Sequence, residues 1–246
     1  DEVRQLKEFN AAVVFVIDST ISMGPYIERT REAVKKVYDK INKDNLGQQV
    51  KFGLVSFRSS TKEVPGLEYT TRMYVDPNDV KNGDDFLKKV ENLQEAKVSS
   101  KLFDEDAYAG VMTAIDKIDW SHFGARYVVL ITDAGAIDAD NKLSSTGLGA
   151  KQIRLEAGNP GVAIYTLHLK TDAGKKDHST AESQYKELST FNGTNTSLYY
   201  PVDAGDVNEF GKKVDSLASA ITEQVKASYF GEAAIGSAIY AIEEGK

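Results

Sequence analysis

Cysteine is absent from the 246-residue sequence, which excludes disulfide bonds and thiol catalysis. Basic residues are the minority, because 30 lysines and arginines stand against 37 aspartates and glutamates, for a net charge of −7. The sequence has no basic stripe interleaved with aromatic residues, so we do not expect nucleic acid as a partner. No run approaches the roughly 20 apolar residues of a membrane span, so we expect no direct membrane insertion by this segment.

The chain opens with Asp1 and carries no signal peptide. We therefore expect a piece excised from a longer protein, or a processed product. Hydrophobic residues make up 41% of the chain and charged residues 27%, which is typical of a globular domain with its own core.

Two kinds of apolar pattern alternate along the chain. Short apolar runs predict strands at residues 11–17, 50–57, 125–131, 162–169 and 197–202, of which the first and third are buried, and a short edge strand at residues 73–75. Helical spacing predicts helices at residues 25–41, 80–93, 107–118, 181–190 and 207–227, with another ending near residue 156. This alternation predicts an α/β fold of the Rossmann-like, doubly wound type, with a mostly parallel sheet and helices on both faces. We expect one domain over residues 1–228 and a helical extension over residues 229–246 packed on it.

Polar residues follow two of the predicted strands. In such a sheet, ligands bind beyond the carboxyl ends of the strands. The first strand ends with Asp18, and Thr20 and Ser22 alternate after it, so their oxygens can converge on one side. Another strand delivers Asp133 to the same edge. One carboxylate with two hydroxyls suits a hard cation such as Mg²⁺. Helix capping for the first motif and a strand-end turn for Asp133 are the alternatives.

The same segments resemble a known family. VVFVIDSTISM resembles the opening motif of the von Willebrand factor A family, Asp-x-Ser-x-Ser, with Thr20 in place of the first serine. VVLITDAG resembles that family's later strand and aspartate, and the likeness extends from about Ala11 to about Gln224. The resemblance implies a metal-ion-dependent adhesion site (MIDAS) that binds Mg²⁺, or Mn²⁺ or Ca²⁺, and takes a protein partner. By the same resemblance, Thr20 and Ser22 coordinate the metal directly, while Asp18 and Asp133 act through water.

The resemblance breaks at one ligand position. The family usually supplies a threonine from the loop before another helix, and AYAGVMTAI resembles the start of that helix. Counting back from Gly110 puts Glu105 in the threonine's place. A glutamate ligand would reduce the electrophilicity of the metal, so we expect weaker capture of an acidic partner. Alternatively, residues 104–106 only favour a helix N-terminus through the helix dipole.

A narrower resemblance concerns the stretch VFVIDSTISMGPYIERTREAV. It is similar to bacterial A-type domains fused to serine/threonine kinases linked to type VI secretion, which the Gly-Pro-Tyr-Ile run after the metal motif suggests. This implies a sensing or docking domain with no catalysis of its own, in the periplasmic part of an inner-membrane protein. A cytoplasmic location is the alternative.

Other functions have weaker support. A haloacid-dehalogenase-type, Mg²⁺-dependent phosphatase needs a second acid two residues after its nucleophilic aspartate, and Thr20 occupies that position. A von Willebrand factor A-type domain with a degenerate metal site is a third hypothesis. The three histidines are solitary in sequence and are predicted to be structural or surface residues, and residues 138–141 lack the later ligands of an EF-hand Ca²⁺ loop.

Overall fold

A six-stranded sheet forms the centre of the protein. The computed structural model describes residues 9–61, 64, 66–79, 83–97, 105–172, 174–191, 194, 196–232 and 234–237. The strands are β1 (Ala11–Asp18), β2 (Val50–Phe57), β3 (Thr71–Val75), β4 (Ala125–Thr132), β5 (Ala163–Lys170) and β6 (Tyr199–Asp203). Their order is β3-β2-β1-β4-β5-β6, and all neighbours are parallel except β3, which runs antiparallel to β2 at the edge. The predicted doubly wound, mostly parallel sheet is confirmed.

Helices cover both faces of the sheet. They are α1 (Ile27–Lys43), α2 (Gly83–Glu91), α3 (Ala107–Lys117), α4 (Ala150–Gly158), α5 (His178–Leu188) and α6 (Val207–Tyr229). Helices α1, α2 and α6 pack into the core on one face, and α3, α4 and α5 pack into the core on the other. None of the helices in the described part of the chain has both the length and the apolar character needed to cross a membrane.

The central strand β1 explains why its sequence is a continuous apolar run. Side chains of Ala11, Val13, Phe15 and Ile17 enter one core, and those between them enter the other. Every residue of β1 is buried. A parallel strand covered on both faces has no solvent side, so it shows no polar alternation.

The chain after β1 differs from the prediction. Pro25 was expected to open a helix, but it lies inside a 3₁₀ helix, Ile21–Tyr26, and α1 begins at Ile27. The backbone N–H of Met23 already donates to the carbonyl of Thr20 at 3.0 Å, so the chain tightens directly after the metal motif. The predicted start of the second helix, residues 80–82, lies outside the described residues.

The segment after α6 also differs. Its described residues between 230 and 237 form turns and an isolated antiparallel bridge from Ser237 to Ala125, so the helical prediction is wrong for them. Gly236 has a φ of +78°, which a helix does not allow, and its carbonyl accepts from the backbone N–H of Arg126 at 2.8 Å. This segment packs against the N-terminal end of β4, and residues 238–246 lie outside the described residues.

Candidate metal site

Two acidic residues lie at the carboxyl ends of neighbouring strands. Asp18 is the last residue of β1, and Asp133 directly follows β4. The two strands are parallel neighbours with Ile17 opposite Ile131, so both acids emerge at the same edge. The structure therefore brings them together as the sequence predicted.

Hydroxyl groups hold the Asp18 carboxylate in place. Its Oδ1 accepts from both the backbone N–H and the hydroxyl of Thr20, the former at 2.9 Å. Its Oδ2 accepts from the Thr132 hydroxyl at 2.7 Å. All three residues are buried. Thr132 is absent from the predicted site residues, although its hydroxyl, on the last residue of β4 and beside Asp133, was a signal in the sequence for it.

Ser22 links the first motif to Asp133. Its hydroxyl lies 3.3 Å from that of Thr20 and donates to Oδ1 of Asp133, also at 3.3 Å. The other carboxylate oxygen, Oδ2 of Asp133, is buried and accepts no hydrogen bond from an N–H or hydroxyl group among the described residues; only the Asp18 carboxyl adjoins Asp133 closely enough to share a proton with it. The predicted set Asp18, Thr20, Ser22 and Asp133 thus forms one connected cluster with an unsatisfied oxygen.

Burial opposes ionisation of both acids. Desolvation raises the pKa of Asp133 to about 8, and the nearby charge of Asp18 adds to this, while the Ser22 hydroxyl opposes it. Burial also raises the pKa of Asp18, against the hydrogen bonds from Thr20 and Thr132 that lower it. Two adjacent buried carboxylates are costly without a positive charge between them.

This donor set fits a hard divalent cation. Carboxylate and hydroxyl oxygens are ligands that Mg²⁺, Mn²⁺ and Ca²⁺ accept. A bound cation would give the unsatisfied Oδ2 of Asp133 a partner, and its positive charge would lower the raised pKa values of the two carboxyls. Within the described residues, no group of three or more His, Asp or Glu side chains is placed to hold a metal. A cation here would therefore depend on the Thr20 and Ser22 hydroxyls.

Glu105 lies beside the loop that follows Asp133. Its backbone N–H donates to the carbonyl of Gly135 at 3.1 Å, and its carbonyl accepts from the N–H of Ile137 at 2.9 Å. The side chain is buried. Coordination of a metal by Glu105 stays a prediction.

The next residue, Asp106, caps α3. Its carboxylate accepts from the backbone N–H of Ala109 at 3.3 Å and from the hydroxyl of Ser145 at 2.6 Å. The helix-terminus alternative therefore holds for Asp106, while residue 104 lies outside the described residues.

The remaining candidates behave as structural or surface groups, with one correction. His168 and His178 are not solitary, since their ring centroids are 5.7 Å apart. His168 is buried, its Nδ1 lies 2.6 Å from the Tyr199 hydroxyl, and burial lowers its pKa to about 4. It is neutral at physiological pH. Asp138 and Asp140 are exposed, as expected for a solvated loop.

Comparisons with known proteins support the fold. The family described as von Willebrand factor type A domain matches residues 12–213. A structure of proximal thread matrix protein 1 from the mussel byssus, with a zinc-occupied MIDAS motif, superposes with a TM-score of 0.61 at 12% identity, covering 87% of this chain and 46% of that one.

A bacterial structure also matches the fold of this chain. The pilus adhesin SpaC from Lactobacillus rhamnosus GG superposes with a TM-score of 0.62 at 13% identity, covering 90% of this chain and 31% of the adhesin. The chain thus spans less than half the length of either protein, and identities this low show the fold alone. No curated protein matches the chain in sequence.

Proposed function

The chain belongs to the von Willebrand factor type A domain family, and we propose that it is a non-catalytic protein-binding module whose binding depends on a divalent cation. The cation site comprises Asp18, Thr20, Ser22 and Asp133. The observation that carries this proposal is the buried, unpartnered Oδ2 of Asp133 beside the Asp18 carboxylate. Domains of this family serve as protein-interaction modules, which is why a protein is the partner proposed.

The residues around the two acids have different roles. Thr132 and Thr20 fix the orientation of the Asp18 carboxylate, and Ser22 does the same for Asp133. When bound, Mg²⁺ supplies a positive centre that an oxygen of the partner can approach. The buried surroundings strengthen every charge interaction at that centre.

Glu105 sets the partner preference in this proposal. A third carboxylate near the cation would leave less positive charge for an acidic partner, so acidic-ligand capture is weak. Calorimetry of the Glu105→Ala variant tests the point. Unchanged Mg²⁺ affinity would show that Glu105 is not a ligand.

Thermal melts in Mg²⁺ and in EDTA test the cation site itself. A ligand that binds only the folded state raises its stability, so millimolar Mg²⁺ is expected to raise Tm in the wild type. Asp18→Ala is expected to lose this rise. Asp116→Ala, which removes an exposed acid on α3, should keep it. No Mg²⁺ effect in the wild type would favour a degenerate site.

A phosphatase is the alternative with a specific test. The residue two positions after Asp18 is Thr20, whose hydroxyl donates to Asp18 and cannot act as general acid and base. We expect no turnover of a generic phosphate ester. Turnover that disappears in Asp18→Asn would replace the binding proposal with an enzymatic one.

The cellular setting is a further part of the proposal. The resemblance of residues 14–34 to A-type domains of type VI secretion-associated kinases supports a bacterial signalling protein with this domain in the periplasm. Protease treatment of intact cells and spheroplasts expressing the gene product that contains this chain tests the location. Digestion in spheroplasts alone is expected, whereas protection in both would indicate the cytoplasm.

A further inference from the structure

Ser19 lies inside the metal motif but faces away from the metal cluster. Its hydroxyl is 2.6 Å from that of Ser56 and 3.3 Å from that of Tyr69, and it accepts from Nε of Arg58 at 3.2 Å. Its backbone is fixed as well, because its N–H donates to a carbonyl of β2 and its carbonyl accepts from the N–H of Ala96. The residue between Asp18 and Thr20 is therefore held from the side opposite the proposed cation.

Arg58 is the centre of this second network. Its guanidinium donates to the Ser19 hydroxyl through Nε and to the carbonyl of Gln94 through Nη2, at 3.1 Å. The guanidinium carbon lies 4.4 Å from the centre of the Tyr69 ring. The backbone of Arg58 pairs with Thr70 and Asp106. One side chain thus joins the metal motif to two other loops at this edge of the sheet.

The burial of Arg58 is costly for a purely structural residue. Its relative exposure is 7%, and no acidic side chain in the described part of the chain lies within 4.0 Å of its guanidinium nitrogens. Neutral hydrogen-bond acceptors and ring stacking offset only part of the cost of desolvating a buried guanidinium. An apolar side chain could fill this space at lower cost, so the guanidinium is explained best by the contacts that it makes.

We propose that Arg58 is a positioning residue that fixes the metal motif through its hydrogen bond to Ser19. This inference rests on the proposed cation site. With Ser19 held, Asp18 and Thr20 on either side of it keep their oxygens aimed at Ser22 and Asp133. Groups that orient metal ligands from behind commonly alter metal affinity by about 10–100-fold when they are removed.

Arg72 provides a matched control. Its guanidinium carbon lies 4.3 Å from the centre of the same Tyr69 ring, but its side chain is 45% exposed and forms an ion pair with Glu68. Removing Arg72 deletes the same charge and the same kind of stacking, without a hydrogen bond to the metal motif.

Calorimetric titration with Mg²⁺ is the first test. Arg58→Ala is expected to weaken Mg²⁺ binding by about 10–100-fold, and Arg72→Ala by less than about twofold. Equal losses in the two variants would overturn the inference, because charge or stacking would then explain the effect. Adding Arg58→Ala to a Ser19→Ala variant should cost little more Mg²⁺ affinity, since the bond between the two side chains is already absent. Additive losses would also overturn it.

Arg58→Lys covers the case in which Arg58→Ala does not fold. Lysine keeps the charge and most of the stem, but one ammonium cannot reproduce the guanidinium fork toward Ser19 and Gln94. We expect weaker Mg²⁺ binding than in the wild type. Wild-type affinity in Arg58→Lys would show that the charge alone suffices and would refute the positioning role.

Amide hydrogen exchange in EDTA separates this inference from the proposed function. The backbone N–H groups of Thr20 and Met23 are hydrogen-bonded within the metal motif. Their exchange is expected to accelerate by about tenfold or more in Arg58→Ala and to stay unchanged in Arg72→Ala. If the wild type binds no Mg²⁺, the proposed function fails while this measurement still tests the tie to Ser19. Unchanged exchange in Arg58→Ala would refute the claim that the hydrogen bond from Arg58 to Ser19 fixes the metal motif.

Discussion

The two ends of strands β1 and β4 differ in the polar groups that they bring together. Near their N-terminal ends, polar groups from distant segments pair with each other: Gly124 N–H donates to the carbonyl of Asn10 at 2.7 Å, and the Tyr127 hydroxyl donates to that of Ile235 at 2.8 Å. At their carboxyl ends, two buried acids adjoin each other and Oδ2 of Asp133 accepts no hydrogen bond from an N–H or hydroxyl group among the described residues.

This contrast separates stability from binding along the same strands. Buried carboxylates in folded proteins are normally hydrogen-bonded or paired with a positive charge, so two adjoining buried acids indicate a place where a cation is expected. We expect the N-terminal end to contribute to folding alone, and the carboxyl end to give up some folding stability for the proposed cation site. Each end can therefore be altered without the other.

The largest effect is expected from Asp133→Asn at the carboxyl end. It should weaken Mg²⁺ binding by at least about 100-fold. In EDTA at pH 8 it should also stabilise the protein by about 2 kcal/mol, because it removes a buried acid that folding prevents from ionising freely. Chemical denaturation measures the second effect and calorimetry the first.

The sign of that stability change follows from the raised pKa of Asp133. A carboxyl whose pKa is higher in the folded state favours folding below its unfolded pKa, and this contribution is lost as pH rises toward about 8. The advantage of Asp133→Asn over the wild type should thus grow between pH 5 and pH 8. Asp116→Asn, at an exposed site, should show no such trend, and a similar trend there would contradict the explanation.

An intermediate effect is expected from Gly236→Ala at the opposite end. A Cβ there would collide with the Tyr127 ring and lie 2.9 Å from the carbonyl oxygen of Arg126, so we expect a loss of about 2 kcal/mol. Gly231→Ala is the control, since Gly231 has a similar φ of +75° but open space around it, and should lose about 1 kcal/mol. Both variants should keep the wild-type Mg²⁺ affinity. Weakened binding in Gly236→Ala would show that the two ends are coupled.

The last prediction concerns pH, where the expected change for each pH unit is smaller than the effect of Asp133→Asn or Gly236→Ala. A cation binds the ionised acids, and the pKa of Asp133 is about 8 without one. Mg²⁺ affinity should therefore rise by about tenfold per pH unit between pH 6 and 8, as one proton is displaced, and level off above that range. Titration in buffers of different ionisation enthalpy counts the released protons. A flat profile would mean that Asp133 is already ionised in the metal-free protein.

Local patterns made much of the fold and part of the site predictable from sequence. The apolar run of β1 and the alternation of strands and helices indicate which segments lie in the sheet, and the spacing of Asp18, Thr20 and Ser22 follows from a strand leading into a short loop. Neighbouring parallel strands then bring Asp133 to the same edge. These inferences need only periodicity and strand direction.

Contacts between distant segments were not predictable in this way. Arg58 and Ser19 are 39 residues apart, and no spacing rule connects a buried arginine to a serine hydroxyl. The prediction that Pro25 opens an α-helix was wrong because the fixed φ of proline suits the interior of a 3₁₀ helix, where Pro25 lies, as well as the first turn of an α-helix. The prediction of a helix after α6 was wrong because the composition of that segment favours a helix, whereas the positive φ values of Gly231 and Gly236 redirect the backbone.

The strict division of β1 side chains between two cores limits how this protein can change over evolutionary time. A single inserted or deleted residue within β1 would exchange the two sets of side chains, so that Phe15 and its partners would face helices shaped for Val14 and Val16. Asp18 would also shift by about 3.3 Å along the strand relative to Asp133. We therefore expect length variation to be confined to the loops, because the length of β1 sets the position of Asp18 relative to Asp133.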